Sequence, residues 1–250
     1  MLILLPPSEG KTPATTGPAV ALETLSHPEL SSARREVADA LAKVSNSPDA
    51  CAALGAGASL AREVERNRTL WTEPTAPAAQ VYTGVLYEAA DAAHWDAPRL
   101  ARAAERVRIV SALWGAVSPA DWIPAYRLSM STSLDRIGPL AAYWRTHLGT
   151  ELGALADGKI IVDCRSAAYV AAWRPAGHTH LSVRVERDLN GTRTVVSHMA
   201  KHTRGLLTGA LVDSARTPES PADLADVARG LPGVIDVAIA DRELTIVLAG

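Results

Sequence analysis

Cationic side chains in this chain recur where apolar runs end. Lys11 follows Leu2 to Leu5, Arg127 follows the run from Val107 to Leu113, and Arg165 follows Lys159 to Val162. Lys201 and Arg204 stand three apart where an apolar helix begins. Hydroxyl groups lie beside two of these positions, at Ser8 and Ser166. Arginine and lysine with nearby hydroxyls form the donor set that holds a phosphate or carboxylate. Glu9 is the carboxylate best placed to serve as acid or base beside such a clamp. Sites in open sheets gather outside the carboxyl ends of strands, so these residues can meet if the apolar runs are neighbouring strands.

A second constellation lies at Leu54-Gly55-Ala56-Gly57, between a short helical stretch that starts at Ser47-Pro48 and another from Ser59 to about Leu70. Helix, glycine-hydrophobe-glycine, helix is the pattern of a helix-hairpin-helix, whose glycines let backbone amides approach a DNA phosphate without reading sequence. Arg62, Arg66 and Arg68 would add phosphate contacts, while Glu63 and Glu65 offset part of that charge.

Other motifs fail on spacing. Gly10-Lys11-Thr12 looks like the end of a P-loop, but the required earlier glycine is Leu5, and Pro13 opposes a helix start. His198 and His202 are four apart across a strand-to-helix break, and His178 and His180 have no third ligand nearby, so no metal site is expected. The stretch from Gly57 to Ala61 only half-matches a nucleophile elbow, and there is no GxGxxG. No cofactor is expected.

Composition sets the frame for these residues. The 250-residue chain is 48% apolar and 21% charged with a net charge of −2, which suits an ordinary globular protein with no overall pull toward nucleic acid. Residues 213–250 carry seven acidic and three basic side chains, so an anion-binding face must come from the earlier part. Cys51 and Cys164 are too few and too far apart for a disulfide framework. No apolar run approaches the roughly 18 to 20 residues of a membrane span, and Met1 leads straight into strand-like sequence, so a cytoplasmic location is expected.

The elements that must position the candidates follow from periodicity. Leu2 to Leu5, Val107 to Leu113 and Lys159 to Val162 read as buried strands. Helices are expected from Ser31 or Ser32 to about Val44, from Pro98 to Arg106, from Pro139 to about Leu152, and through Val212 after the Lys201 block. In the first of these, Arg34 falls on the polar face with Arg35, Glu36 and Lys43. A further helix is expected from about Tyr87 to Trp95, and another from Ser166 through Tyr169 and Trp173. Arg99, Arg102 and Arg106 form what reads as a solvated stripe. Asn190-Gly191 predicts a hairpin between residues 179–186 and 193–198. Pro221 to Leu231 reads as a small acidic helix, and residues 234–248 as a second hairpin that forms a sheet edge or a lid. Trp114, Trp122 and Tyr126 in the stretch after Val107 are read either as core plugs or as parts of a site. The fold class is therefore α/β: one compact mixed-sheet domain over residues 1–250 with surrounding helices and a helix-hairpin-helix-like element at about 47–70.

Several ordered blocks make the chain similar to the YaaA family, the peroxide stress proteins. They are Met1 to Thr12, Val81-Tyr82-Thr83-Gly84, Ser111 to Met130, Tyr143-Trp144 and Ala200 to Gly205. The resemblance implies an intracellular role in limiting peroxide and iron-driven damage. It also implies a positively charged cleft and DNA binding through a helix-hairpin-helix at Leu54 to Leu60. Lys11, Arg127, Lys201 and Arg204 would be the cleft's basic residues. The chain departs from the family pattern at Lys201-His202, where two lysines are common, and at Asp163 to Tyr169, where an Asn-x-Ala-Ser-x-Glu-Tyr run is common.

Two functions follow from these residues together with the resemblance. One is a stress-response protein that binds DNA without sequence specificity, using Lys11, Arg127, Lys201, Arg204, Gly55, Gly57, Arg62, Ser8, Arg165 and Ser166. The alternative is an enzyme acting on a small anionic or nucleotide-like substrate in the same cleft, with Glu9 as the candidate acid or base.

Overall fold

Leu2–Leu5 (β1) is apolar at every position because the strand is buried on both faces, as interior parallel strands are. We describe a computed structural model of residues 1–250, in which every residue is described apart from the side chain of Ser197. β1 pairs in parallel with Val107–Ser111 (β2) on one side and Ile161–Asp163 (β4) on the other. Gly115–Val117 (β3) folds back antiparallel on β2. His180–Leu189 (β5) joins β4 in parallel and makes a hairpin with Thr192–Val195 (β6). Val234–Ala240 (β7) and Glu243–Ala249 (β8) close the far edge, giving the order β7-β8-β5-β4-β1-β2-β3. The C-terminal hairpin therefore extends the main sheet, β8 running parallel to β5, and is not a lid. The chain leaves β1 toward β2 and later returns on its other side as β4. Such a reversal opens a crevice at the strands' carboxyl ends.

The longer helices are Ser31–Ser45 (α1), Ala97–Arg106 (α2), Leu140–Ala156 (α3), Ser197–Asp213 (α4) and Pro221–Arg229 (α5). With the eight-stranded sheet they make the α/β architecture expected from periodicity. Asp96 caps α2 through the Arg99 amide, and Ser220 with Asp223 forms a capping box on α5. Among the described residues no helix is long and apolar enough to cross a membrane.

Five local expectations are corrected. The helix-hairpin-helix does not form: its first helix is the single turn Ala50–Ala53, confined by Pro48 before it and by Gly55 (φ 61°) after it. A 3₁₀ turn at Ala58–Leu60 then leads into the six-residue helix Ala61–Arg66. The helix expected up to Trp95 is broken into Val85–Ala89 and a 3₁₀ turn at Ala92–His94, because Asp91 adopts a left-handed conformation (φ 56°). The helix expected through Trp173 stops at Val170.

Arg34 is the fourth correction. It is fully buried, donating from Nε to the Trp114 carbonyl (2.9 Å) and from one terminal nitrogen to Ser26 O (2.6 Å) and Ala116 O (2.9 Å). A long arginine stem can leave the helix's polar face and satisfy backbone carbonyls, here those of Ser26, Trp114 and, on edge strand β3, Ala116. The fifth concerns the arginine stripe of α2. Arg99 and Arg102 pair with Asp213, and Arg106 donates to the carbonyls of Leu211, Val212 and Ser214, capping the end of α4. Of the aromatic rings, Trp114 and Tyr126 are core residues, whereas Trp122 is exposed.

His27 gives the fold a pH dependence. Burial, with Arg108 and Arg34 nearby, brings its pKa down to about 4, and Arg108 Nε donates to His27 Nε2 (3.1 Å), which fixes that nitrogen as an unprotonated acceptor. A Glu151 carboxylate 3.5 Å from Nδ1 does not reverse this. Between pH 6.5 and about 4 the unfolded chain binds a proton that the folded one refuses, so stability falls as pH drops through that window. His27→Asn keeps a residue that tolerates the left-handed φ of 59°. Its urea midpoint should change less between pH 7 and 4 than that of the parent, the difference approaching about 3 kcal/mol at most. Equal pH slopes for the two proteins would refute this role.

Candidate functional site

At the carboxyl ends of β1 and β4 lies a cavity of about 530 Å³. Its walls come from the loop after β1 (Pro6 to Lys11), the segment Thr83 to Tyr87, Arg127 to Ser129, Cys164, Ser166, Ala168 and Tyr169 after β4, and Lys201 and Arg204 on α4. Segments spread over two hundred positions meet here because β1 sits between β2 and β4 and α4 packs across the Val85–Ala89 helix.

The loop after β1 is laced to the following wall. The Ser8 hydroxyl donates to Gly10 O and accepts from Thr83 N (2.9 Å), while Thr12 N donates to Val81 O (2.9 Å). Lys11 thus enters with its backbone bridged to Tyr82. Its ammonium donates to Ser8 O (2.7 Å) and Glu9 O (3.3 Å), and lies 4.3 Å from the centre of the Tyr126 ring and 5.5 Å from that of Tyr82. These rings are held by a hydroxyl relay, Tyr82 Oη to Tyr126 Oη (2.9 Å) to Ser111 Oγ (2.7 Å), at the end of β2. Burial is the main reason the Lys11 amine is brought down to about 7, and Arg127 lowers it further.

Arg127 is fixed through its backbone. Asn67, itself fully buried, accepts from Arg127 N (2.8 Å) and donates to Arg127 O (2.9 Å), so one side-chain amide imitates a strand partner. The guanidinium lies between two carboxylates, Glu9 (3.2 Å) and Glu63 (3.6 Å). Glu9 is 82% exposed and Glu63 34%, so Glu9 can swing into water and leave Arg127 open to an incoming anion. On the opposite wall Arg204 donates from Nε and a terminal nitrogen to Val183 O (3.1 and 2.5 Å), and Lys201 is exposed one turn earlier. Gly205 makes this wall possible: a Cβ there would meet Leu86 O at 2.2 Å, so only glycine lets α4 lie this close to the helix at Val85–Ala89.

The candidates divide cleanly. Ser8, Glu9, Lys11, Arg127, Ser166, Lys201 and Arg204 line the cavity, whereas Gly55, Gly57, Arg62 and Arg165 do not. Arg165 is turned inward, where its backbone N and Nε donate to Asp163 Oδ1 (3.0 and 2.8 Å) and a terminal nitrogen donates to Oδ2 (2.7 Å). The helical segment after Gly57 touches Arg127 through Glu63, not Arg62. Sequence reasoning missed Asn67 and also Tyr82, for which the block from Val81 to Gly84 was the available signal; Tyr126, read as a core plug or part of a site, is both buried and in contact with Lys11. Four cations and one carboxylate line the space, with Pro6, Pro7, Val85, Leu128 and Tyr169 as apolar and aromatic surface. That mixture suits a molecule with one acidic group and one flat or apolar part. Among the described residues no cluster of three or more histidine, cysteine or carboxylate side chains could hold a metal ion.

Comparison with known proteins adds a family. Residues 1–230 match the model described as peroxide stress protein YaaA. A UPF0246 protein of Streptomyces coelicolor is 41% identical over 92% of this chain and 90% of its own length. One from Corynebacterium efficiens is 38% identical over 99% of this chain and all of its own, and one from Shewanella loihica is 31% identical over 86% of each.

Proposed function

The chain belongs to the peroxide stress protein YaaA family, and from that membership we propose that it serves the response to peroxide by binding a small phosphate- or carboxylate-bearing molecule in the cavity at the ends of β1 and β4, and acting on it there. The observation that carries this reading is the convergence of Lys11, Arg127, Lys201 and Arg204 on one space of about 530 Å³. That volume falls in the usual range of small-molecule pockets, about 300–1,000 Å³. Glu9, ion-paired to Arg127, occupies the position an incoming acidic group would take. The aromatic and apolar walls favour a nucleotide-like ligand over a bare inorganic ion.

Binding to the DNA backbone is the competing use of the same charge. It would recruit Gly55, Gly57 and Arg62 at the exposed turn beside the cavity. Geometry favours it less, since none of the three lines the cavity and the neighbouring Glu63 is already committed to Arg127.

Parallel titrations at 150 mM salt distinguish the two. Adenosine 5′-monophosphate should raise the melting temperature and be competed by inorganic phosphate, while a 20-base-pair duplex leaves it unchanged. Tight duplex binding that weakens steeply with salt, with no response to the nucleotide, would replace the small-ligand reading with the DNA one.

A further inference from the structure

The cavity wall contains several groups that chemistry can use as nucleophiles, and most are disarmed. The Ser8 hydroxyl is engaged with Gly10 O and Thr83 N. Burial pushes the Cys164 thiol up to about 12, so its thiolate is scarce at neutral pH. The Tyr87 hydroxyl donates to Pro6 O (2.7 Å), and burial raises its pKa well above the ordinary phenol value. Lys11 differs from all of these. Burial keeps water from its nitrogen, which sits against the Tyr82 and Tyr126 rings, and Arg127 opposes a second positive charge nearby; desolvation and a neighbouring cation are the two conditions that keep a lysine amine neutral and reactive. A neutral amine has two hydrogens and one lone pair. The carbonyls of Ser8 and Glu9 accept both hydrogens, which leaves the lone pair unengaged.

We propose that Lys11 is a catalytic nucleophile: its amine condenses with the carbonyl carbon of an aldehyde- or ketone-bearing anion whose acidic group is held by Arg127, Lys201 and Arg204. The inference rests on the anion-binding reading of the same cavity and adds the substrate class. In the first step the Nζ lone pair forms a bond to the carbonyl carbon and the C=O π pair moves to oxygen, which takes a proton from the nitrogen. In the second the oxygen takes the remaining N–H hydrogen and leaves as water. A C=N bond then replaces the C=O bond, water is the single co-product, and no oxidant or reductant is needed. The incoming imine removes the hydrogens that held Ser8 O and Glu9 O, so condensation also releases the loop after β1.

The chain has only four lysines, Lys11, Lys43, Lys159 and Lys201, so the unaltered protein contains its own controls. Pyridoxal 5′-phosphate, an anionic aldehyde, is added at pH 7, the imine is reduced with borohydride, and each lysine is quantified by peptide mass spectrometry. Lys11 should be modified at least about tenfold more than Lys43 or Lys159, since a lysine in water is protonated below about pH 10.4. Excess adenosine 5′-monophosphate should block the modification, and its yield should rise with a midpoint near pH 7. Lys201 shares the cavity on its exposed side, so it reports the effect of anion concentration alone. Preferential labelling of Lys201, or equal labelling of Lys11 and Lys43, would overturn the inference. If the nucleotide still raises the melting temperature in that case, the cavity binds anions and only the lysine chemistry is wrong; if it does not, both fail together.

Discussion

Arg165→Met is expected to cost about 3–5 kcal/mol of stability, the usual result of stranding one member of a buried ion pair. The Arg165 side chain is fully buried and that of Asp163 nearly so; two hydrogen bonds join the side chains, and the Arg165 backbone amide donates a third to the carboxylate. Removing the guanidinium leaves a carboxylate at the end of β4 with only the Arg165 backbone amide to hold it. The guanidinium also donates to Tyr169 O (3.3 Å) and lies 5.8 Å from the centre of the Trp173 ring, so the cavity wall at Ser166 to Tyr169 loses its anchor as well. The double variant Asp163→Asn/Arg165→Met removes the charge and should recover at least half of the loss, because no buried carboxylate is left behind. Urea unfolding at pH 7 measures both. A single variant within about 1 kcal/mol of the parent would mean that the pair is solvated and holds nothing in place.

Arg127→Gln should weaken binding of adenosine 5′-monophosphate by about 10- to 100-fold, the loss of one charge-assisted contact of about 1.5–3 kcal/mol. Arg127 carries this prediction because it is the best positioned of the four cations. Its side chain is 17% exposed, and Asn67 fixes its backbone from both sides. The change also leaves Glu9 and Glu63 without their shared counter-charge, which repels the incoming anion further. Arg62→Gln, at an exposed residue that does not line the cavity, should leave the affinity within about twofold, because water and salt screen a charge held there. Calorimetric titration at fixed ionic strength reads both values. Equal losses for the two variants would indicate diffuse attraction by surface charge and no defined clamp.

Much of the frame was legible because each strand carries its own signature. Leu2 to Leu5 and Ile161 to Val162 are unbroken apolar runs, which an interior parallel strand requires. Asn190 and Gly191 both adopt positive φ in the turn between β5 and β6, as their residue types predict. What escaped depends on partners far away in sequence. Periodicity assigned Arg34 to a solvated face, since nothing in the sequence marks the Trp114 and Ala116 carbonyls as acceptors. Asn67 bonds a backbone sixty positions away, and a lone asparagine in a helical stretch gives no hint of that. Arg165 was the more legible miss: Asp163 stands two residues earlier, and such a pair at the end of a buried strand neutralises itself before it can bind a ligand. The stretch from Ser47 to Leu70 had the residue types of a helical hairpin but too little length between Pro48 and Gly55 for its first helix.

A crystal structure of the protein soaked with adenosine 5′-monophosphate tests the account most directly. The phosphate should lie within hydrogen-bonding distance of Arg127 and at least one of Lys201 and Arg204, with the Glu9 carboxylate displaced from the Arg127 guanidinium. Density for the nucleotide at the turn near Gly55 and Arg62, with the Arg127–Glu9 pair undisturbed and the cavity empty at saturating ligand, would contradict it.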